Sequence, residues 1–353
     1  MQDLLAAIAV VINGLPQGLL ALSFGFAAFP TALAFAAGTA GAIMFRSVAP
    51  ISFQAESIVL AGTMGKDRME RCTIVFITGV VMALAGGLGL LEPVVRFVGP
   101  AIENGMMAGV GIILASVAIN MLKKSPVVGA VSMLTALLVY TFMGKNLVYT
   151  IVASVVASSV VYLITRKTDD TVVVTGENIE KLKPIKLVFN SPRVIRGALA
   201  MICLQIGGNI AYATITGNIA STPVNVDHVT LYSGVGDAVS AFFGGGPVEA
   251  IISGTGAAPN PWLSGVLMMA IMAVILASRL LPTLAKFVPS ESIAGFLFVL
   301  GAIVVFPINI NFAVQANPIL GGVVTVVTAA TDPFIGLVAG VVVRFLFGAA
   351  GIL

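Results

Sequence analysis

The chain is poor in charge, in histidine and in cysteine. Charged residues make up 9% of its 353 residues, against about 25% in an ordinary soluble domain. A single histidine, His228, excludes histidine-based metal sites and a histidine proton relay. Cys72 and Cys203 lie far apart in apolar stretches, so they give neither a disulfide framework nor a metal-ligand spacing. The net charge of +3 is too small to indicate a polyanionic partner, and we expect no nucleic-acid binding.

Apolar residues, in contrast, are abundant. They make up 58% of the chain, and the mean hydropathy is +1.08. A helix needs about 20 apolar residues to cross a bilayer, so fourteen spans with short loops would use most of this length. The sequence therefore predicts an all-α, multi-pass protein of the bacterial inner membrane. Because no nucleophile–base pair or metal cluster is recognisable, we expect no enzymatic activity, cofactor or bound metal.

Charge is concentrated near the middle of the chain. Residues 166–196 hold eleven charged side chains, which marks a linker over 168–192 between two repeats, 1–167 and 193–353. Three pairs of similar stretches support the repeat: Phe97 matches Phe287, Ser125 matches Asn317 and Pro50 matches Pro247, at offsets of 190, 192 and 197 residues. With seven spans in each half, the halves must have opposite orientations, as in the inverted repeats of secondary transporters.

The third and tenth predicted segments, 47–65 and 244–260, each begin with a proline, Pro50 or Pro247. Proline donates no backbone hydrogen bond and cannot continue a helix from before it. We therefore expect each segment to be a short strand followed by a half-helix, with the two half-helix N-termini facing each other near the midplane. Irregular backbone at that depth is tolerated where it lines a cavity or is buried in protein. The alternative is a pair of proline kinks in ordinary helices.

Polar side chains accumulate in and beside these two segments. Glu56 and Glu249 are intramembrane acids, which are costly unless they have a partner, a proton or a function. Asp237 either supports the site or is paired structurally. Amides within spans usually bind neighbouring helices, but their position next to the broken segments favours a site. The predicted substrate-binding residues are Glu249, Glu56, Gln205, Asn209, Phe53, Val248, Asn13 and Ser253, and the predicted proton-coupling residues are Glu249, Glu56 and Asp237.

Seven inverted spans per half, broken at the third and tenth, resemble the nucleobase–ascorbate transporter family of uracil and xanthine permeases. That family shares its fold with sulfate permeases and anion exchangers. The stretch from Gly234 to Pro247 resembles the family's ninth-to-tenth-segment region. The resemblance implies a core domain (3–91 and 193–285) that holds substrate and moves as an elevator. It also implies a gate domain (103–166 and 290–350) through which the protein forms a homodimer.

Several features depart from that family. The eighth segment offers Gln205 and Asn209 where uracil permeases usually have an acid. Ser253 stands six residues after Pro247, where family members commonly place an acid, and Glu249 stands two residues after it. The excess of Lys and Arg in loops after odd-numbered spans predicts a cytoplasmic linker and external termini, opposite to the uracil permeases.

Three functions remain open from the sequence. The first is a proton-coupled symporter of a nucleobase, purine or uracil-like, with H⁺ or Na⁺ as coupling ion and Phe53 either stacking on the ring or packing in the core. The second is an anion carrier of the sulfate-permease type, or a transporter of organic carboxylates. The third is a channel or a membrane scaffold.

Overall fold

The computed structural model describes residues 1–165, 182–281, 283 and 287–349. The predicted linker, 168–192, therefore falls outside the described residues except from residue 182 onward.

The first half contains seven helices and one short strand. They are α1 (Gln2–Ser23), α2 (Ala28–Phe45), β1 (Ile51–Ser52), α3 (Ala55–Met64), α4 (Arg68–Gly87), α5 (Leu91–Lys124), α6 (Pro126–Phe142) and α7 (Leu147–Thr165). Helix α5 begins twelve residues before the predicted gate domain (103–166), because an added helical stretch precedes a break at Gly99, where φ is 72° and ψ is 171°.

The described part of the second half contains six helices and one strand. They are α8 (Pro192–Ile219), α9 (Val226–Phe242), β2 (Glu249–Ala250), α10 (Pro261–Ala277), α11 (Ser290–Ala316, with a π-helical stretch at Val299–Val305), α12 (Pro318–Ala330) and α13 (Pro333–Ala349). Pro126, Pro192, Pro261 and Pro318 stand at the starts of their helices, where a missing N–H costs nothing.

By length and composition, seven of the described helices can cross a membrane: α1, α2, α4, α5, α7, α8 and α11. Four further apolar helices, α6, α10, α12 and α13, are shorter. Together with α9 and the two broken segments they give fourteen segments. The chain is thus built as an integral multi-pass membrane protein.

The helices form two packing groups. In the first group, α4 packs on α9 and α8, α2 on α9 and α10, and α1 on α10. In the second group, α5 packs on α11, α12 and α13, and α6 on α7. Helices α4 and α9 approach closely because Gly79 and Gly234 face the opposite backbone, where a Cβ would lie 2.5 Å and 2.4 Å from main-chain nitrogens.

Candidate functional site

The two broken segments cross each other inside the first packing group. Ile51 pairs with Ala250 and Ser52 with Glu249 in an antiparallel arrangement of β1 and β2. Pro50 and Pro247 both lie outside any helix, just before these strands. The alternative of proline kinks in continuous helices is therefore wrong, and the strand pairing agrees with an inverted repeat.

The two segments differ after their strands. In the first, helix α3 follows, and its first intrahelical hydrogen bond runs from Ile58 N to Gln54 O at 3.1 Å. The N–H groups at the start of this helix have no intrahelical acceptor, and no side chain caps them at Gln54. In the second segment the predicted half-helix is a single 3₁₀ turn, Gly254–Ala257. Two glycines in the turn and Pro259 and Pro261 just beyond it prevent a longer helix.

Helix α9 fixes the backbone of both broken segments. The Tyr232 hydroxyl donates to Ala49 O just before β1. The Asp237 carboxylate accepts from Val248 N at 2.6 Å just before β2, and from Gln205 Nε2 on α8 at 2.8 Å. Asp237 is completely buried and makes hydrogen bonds on both carboxylate oxygens. In this arrangement it braces the second strand.

Glu249 is the first residue of β2 and is 1% exposed. Its Oε1 accepts from Ser57 Oγ on α3 at 2.7 Å, while Oε2 has no partner among the described residues. Its neighbour Ala250 donates its N–H to Asn209 Oδ1 on α8 at 3.2 Å. The acid and the adjacent strand are thus held by side chains from both halves.

A cavity of about 140 Å³ lies beside the crossing, between the two packing groups. Its polar side comes from the first group, and its apolar wall comes from α5 and α11. Glu56 is the only charged side chain among its described lining residues, and it is exposed there. The polar lining residues are Asn13, Gln17, Ser52, Gln54, Glu56 and Tyr212, and the apolar wall includes Val110, Ile113, Leu114, Val117, Leu297 and Leu300.

Two polar atoms of this lining are buried without a hydrogen-bond partner among the described residues: Asn13 Oδ1 and Ser52 Oγ. Buried polar atoms in native proteins nearly always have a partner, and an exception calls for an explanation. Here both belong to residues that line the cavity, although neither atom is itself accessible from it.

The predicted site residues separate into two sets. Asn13, Phe53 and Glu56 line the cavity, although Phe53 is 1% exposed and packs edge-on against Phe35 with ring centroids 5.3 Å apart. The others are buried behind it and do not belong to its described lining: Gln205, Asn209, Val248, Glu249, Ser253 and Asp237.

Hydrogen bonds account for most of the second set. Asn209 Nδ2 donates to Thr230 Oγ1 at 3.3 Å, in addition to the bond that Asn209 Oδ1 accepts from Ala250. Ser253 caps the 3₁₀ turn, and its N–H donates to Thr216 Oγ1 at 3.1 Å. Substrate contact and proton coupling by these residues stay predictions.

Sequence reasoning missed Ser52, Gln54, Ser57 and the apolar wall. The first three lie within the broken segment 47–65 that the sequence singled out, so the polar content of that segment was the available signal. The wall residues of α5 and α11 carry no such signal, because the sequence does not distinguish an apolar side chain that faces a cavity from one that faces lipid.

The fold is similar to that of solved transporter structures. One is "the transmembrane domain of a cyanobacterium bicarbonate transporter BicA", with a TM-score of 0.61 at 19% sequence identity, covering 96% of this chain and 97% of that one. Another is the overall structure of SLC26A9, with a TM-score of 0.61 at 15% identity, covering 99% of this chain and 64% of that one.

A third is the murine Slc26a9 anion transporter in the inward-facing state, with a TM-score of 0.58 at 15% identity, covering 99% of this chain and 68% of that one. The chain thus spans about two thirds of the length of the SLC26A9 chains. No family model matches the chain, and no curated protein matches it. The likeness confirms the predicted fold class, a fold that the SLC26 and BicA transmembrane domains share. The narrower resemblance to nucleobase–ascorbate transporters stays a prediction.

Proposed function

We propose that this chain is a secondary transporter of a small anion, which it carries together with a cation or protons. The observation that carries the proposal is the antiparallel crossing of two broken segments beside a cavity that both packing groups line. Two solved structures of similar fold support it, since one is of a bicarbonate transporter and the other of an anion transporter. An anion carrier of the sulfate-permease type, or of organic carboxylates, is the second of the three functions that the sequence leaves open.

The proposed transport includes a coupling cation because of the charges that line the cavity. The N–H groups at the start of α3 suit an anion, but Glu56, when ionised, places a negative charge in the same first turn. An anion next to a carboxylate is disfavoured by several kcal/mol in order of magnitude unless a proton or a cation compensates. No lysine or arginine is among the described lining residues. Glu56 is therefore the residue that we assign to the coupling cation.

The size of the cavity limits the substrate. A cavity of about 140 Å³ is close to the 150 Å³ or so of an engineered cavity that admits benzene. An inorganic anion, a short carboxylate or a single aromatic ring fits this volume. A larger solute fits only if the two packing groups of helices move apart.

A nucleobase is the second candidate. Asn13, Gln17 and Gln54 supply amide donors and acceptors, and Tyr212 supplies an aromatic ring in the same lining. Together with Glu56 they match the edge and face of a flat neutral heterocycle. Proton coupling through Glu56 or Glu249 would accompany this substrate, as the family resemblance implies.

We propose that the first packing group is the predicted core (3–91 and 193–285) and that the second is the predicted gate (103–166 and 290–350). We propose that the core carries the solute past the gate as an elevator, that the gate forms the homodimer interface, and that the protein works in a bacterial inner membrane.

The test is uptake into proteoliposomes that contain the purified protein. Bicarbonate, sulfate, a short carboxylate, uracil and xanthine are offered with and without inward H⁺ and Na⁺ gradients. We expect saturable uptake of an anion, raised by one cation gradient. Uptake of uracil or xanthine alone favours the second candidate. Non-saturable ion flux, or no uptake of any solute while a thermal-shift assay of the same solutes also shows no binding, contradicts the proposal.

A pair of matched variants separates the cavity from general effects of acid removal. Glu56→Gln removes the cavity carboxylate, whereas Glu103→Gln removes an acid of α5 outside the described lining. We expect Glu56→Gln to lose the gradient dependence and Glu103→Gln to keep it. Equal behaviour of the two variants contradicts the assignment of Glu56.

A further inference from the structure

A short helix joins the two packing groups. It is the first part of α5, Leu91–Val98, which follows α4 directly and ends at the break at Gly99. We call it the connecting helix. The corresponding connection in the second half, between α10 and α11, includes residues outside the described part of the chain.

The N-terminal end of the connecting helix is capped by α9 of the first group. Asp227 Oδ1 accepts from Leu91 N at 2.7 Å, and Asp227 Oδ2 accepts from Glu92 N at 3.0 Å. Glu92 Oε1 in turn accepts from Val226 N, at the start of α9, at 3.0 Å. Each helix therefore supplies the carboxylate that caps the other. Asp227 is only 4% exposed, and Leu90 at the N-cap position of α5 provides no cap of its own.

The C-terminal end of the same helix is capped by α13 of the second group. Arg344 donates from Nη1 to Phe97 O at 2.6 Å and from Nη2 to Val98 O at 2.5 Å. The connecting helix thus has an acid at its N-terminus and an arginine at its C-terminus, both with the sign that complements the helix dipole. One charge belongs to each packing group.

Gly99 stands between the connecting helix and the rest of α5. Its φ of 72° and ψ of 171° lie in a region that only glycine adopts readily. A Cβ at this position would also lie 3.1 Å from Arg344 Nη2. The rest of α5, from Pro100 on, packs in the second group.

We propose that Asp227, Glu92 and Arg344 are positioning residues of transport, which tie the connecting helix to both packing groups and confine their relative movement to Gly99. The inference rests on the proposed elevator movement. The capping pairs do not touch the cavity, so they act on the rate of the movement and leave solute binding unchanged. Among the described hydrogen bonds between the groups, the only others are Gln2 with Tyr149 at 2.6 Å and a weak contact of Asn218 with Met107 at 3.9 Å.

The first test uses Gly99→Ala, with Gly144→Ala as matched control. Gly144 also has a positive φ, 70°, but it lies in the loop between α6 and α7, and a Cβ there meets nothing within 4 Å. We expect Gly99→Ala to lower the maximal uptake rate about tenfold, because a Cβ strains this backbone conformation, with KM changed less than about twofold. Gly144→Ala should keep the rate within about twofold. Equal rates in the two variants overturn the inference.

The second test uses the caps themselves. Asp227→Ala and Arg344→Ala should each lower the maximal rate with KM nearly unchanged. Asp227→Asn, which keeps one of the two acceptor oxygens at the N-terminus, should restore part of the rate. Failure of Asp227→Asn to restore it, or a rise in KM that accounts for the whole loss, overturns the positioning role.

A cross-linking readout needs no solute, so it separates failure of this inference from failure of the proposed function. Ala6 on α1 and Val148 on α7 pack together between the two groups. In a background with Cys72 and Cys203 replaced by serine, Ala6→Cys and Val148→Cys should cross-link on oxidation. Gly99→Ala disfavours the backbone angle of this arrangement and should lower the yield, whereas Gly144→Ala should not. An unchanged yield in Gly99→Ala overturns the inference even if the protein transports.

Discussion

The two broken segments share a proline followed by a paired strand, but the polar side chains that come with them have different environments. In the first, Glu56 is exposed in the cavity and Ser52 Oγ has no partner among the described residues. In the second, Glu249 is buried and accepts from Ser57, and Ser253 caps a 3₁₀ turn. The inverted repeat therefore reproduces the strand in both halves, but the polar side chains of the two segments make different contacts. The first segment presents polar groups to the cavity, and the second is braced by its neighbours.

The bracing is also unequal. Helix α9 binds the backbone next to both strands. Its Tyr232 hydroxyl donates to Ala49 O, and its buried Asp237 carboxylate accepts from Val248 N. Asn209 adds a further acceptor for β2, at Ala250 N. Asn13 precedes Asn209 by 196 residues, close to the offset between Pro50 and Pro247. Its Oδ1 has no partner among the described residues, and its side chain lines the cavity. We infer that the second segment is the rigid side of the crossing.

The largest effect is expected from removing the brace of the second segment. Asp237→Ala leaves the Val248 N–H and the Gln205 amide buried without their acceptor, which should cost about 3 kcal/mol of folding free energy. The measurement is unfolding of the purified protein in detergent. Asp237→Asn, which keeps one acceptor, should lose less. A loss below about 1 kcal/mol for Asp237→Ala would show that the two segments are held equally loosely.

The next effect concerns the exposed acid of the first segment. Glu56→Gln should lower gradient-driven accumulation about thirtyfold, which corresponds to about 2 kcal/mol of coupling free energy. Its unfolding free energy should stay within about 0.5 kcal/mol of the wild type, because the side chain is exposed. Normal accumulation by this variant in the uptake assay would remove the functional difference between the two segments.

A smaller effect is expected from the brace of the first segment. Tyr232→Phe removes the hydroxyl that donates to Ala49 O and also contacts Ser47 Oγ at 3.1 Å. The loss should be about 1 kcal/mol, measured by the same unfolding experiment. A loss equal to that of Asp237→Ala would contradict the unequal bracing.

The smallest effect tests why the second segment lacks a half-helix. In Gly254→Ala the new Cβ finds only ordinary contacts, the nearest being Phe296 at 3.5 Å. Stability should therefore change by less than about 0.5 kcal/mol, because Pro259 and Pro261 still end any helix. A structure of the variant that shows an α-helix over 254–258 would mean that glycine alone caused the difference.

The architecture could be predicted from the sequence because the features that define it are local in the chain. Prolines at 50 and 247 dictate the breaks, and apolar runs of bilayer length dictate the spans. Sequence reasoning also selected Glu56 and Asn13, which line the cavity. It could not tell that Asn209 and Gln205 turn toward backbone and Asp237, because an amide in a span looks the same whether its partner is a solute or a strand. The half-helix after β2 was over-predicted because repeat symmetry outweighed the glycines and prolines of residues 254–261.

Cysteine labelling of the two acids tests most directly the claim that one carboxyl faces the cavity and the other is buried. With Cys72 and Cys203 replaced by serine, Glu56→Cys and Glu249→Cys are each exposed to a small water-soluble thiosulfonate in membranes. We predict that the cysteine at 56 reacts at least about tenfold faster than the one at 249, because a buried thiol is inaccessible. Equal reaction rates, or a cysteine at 56 that does not react at all, would contradict the account.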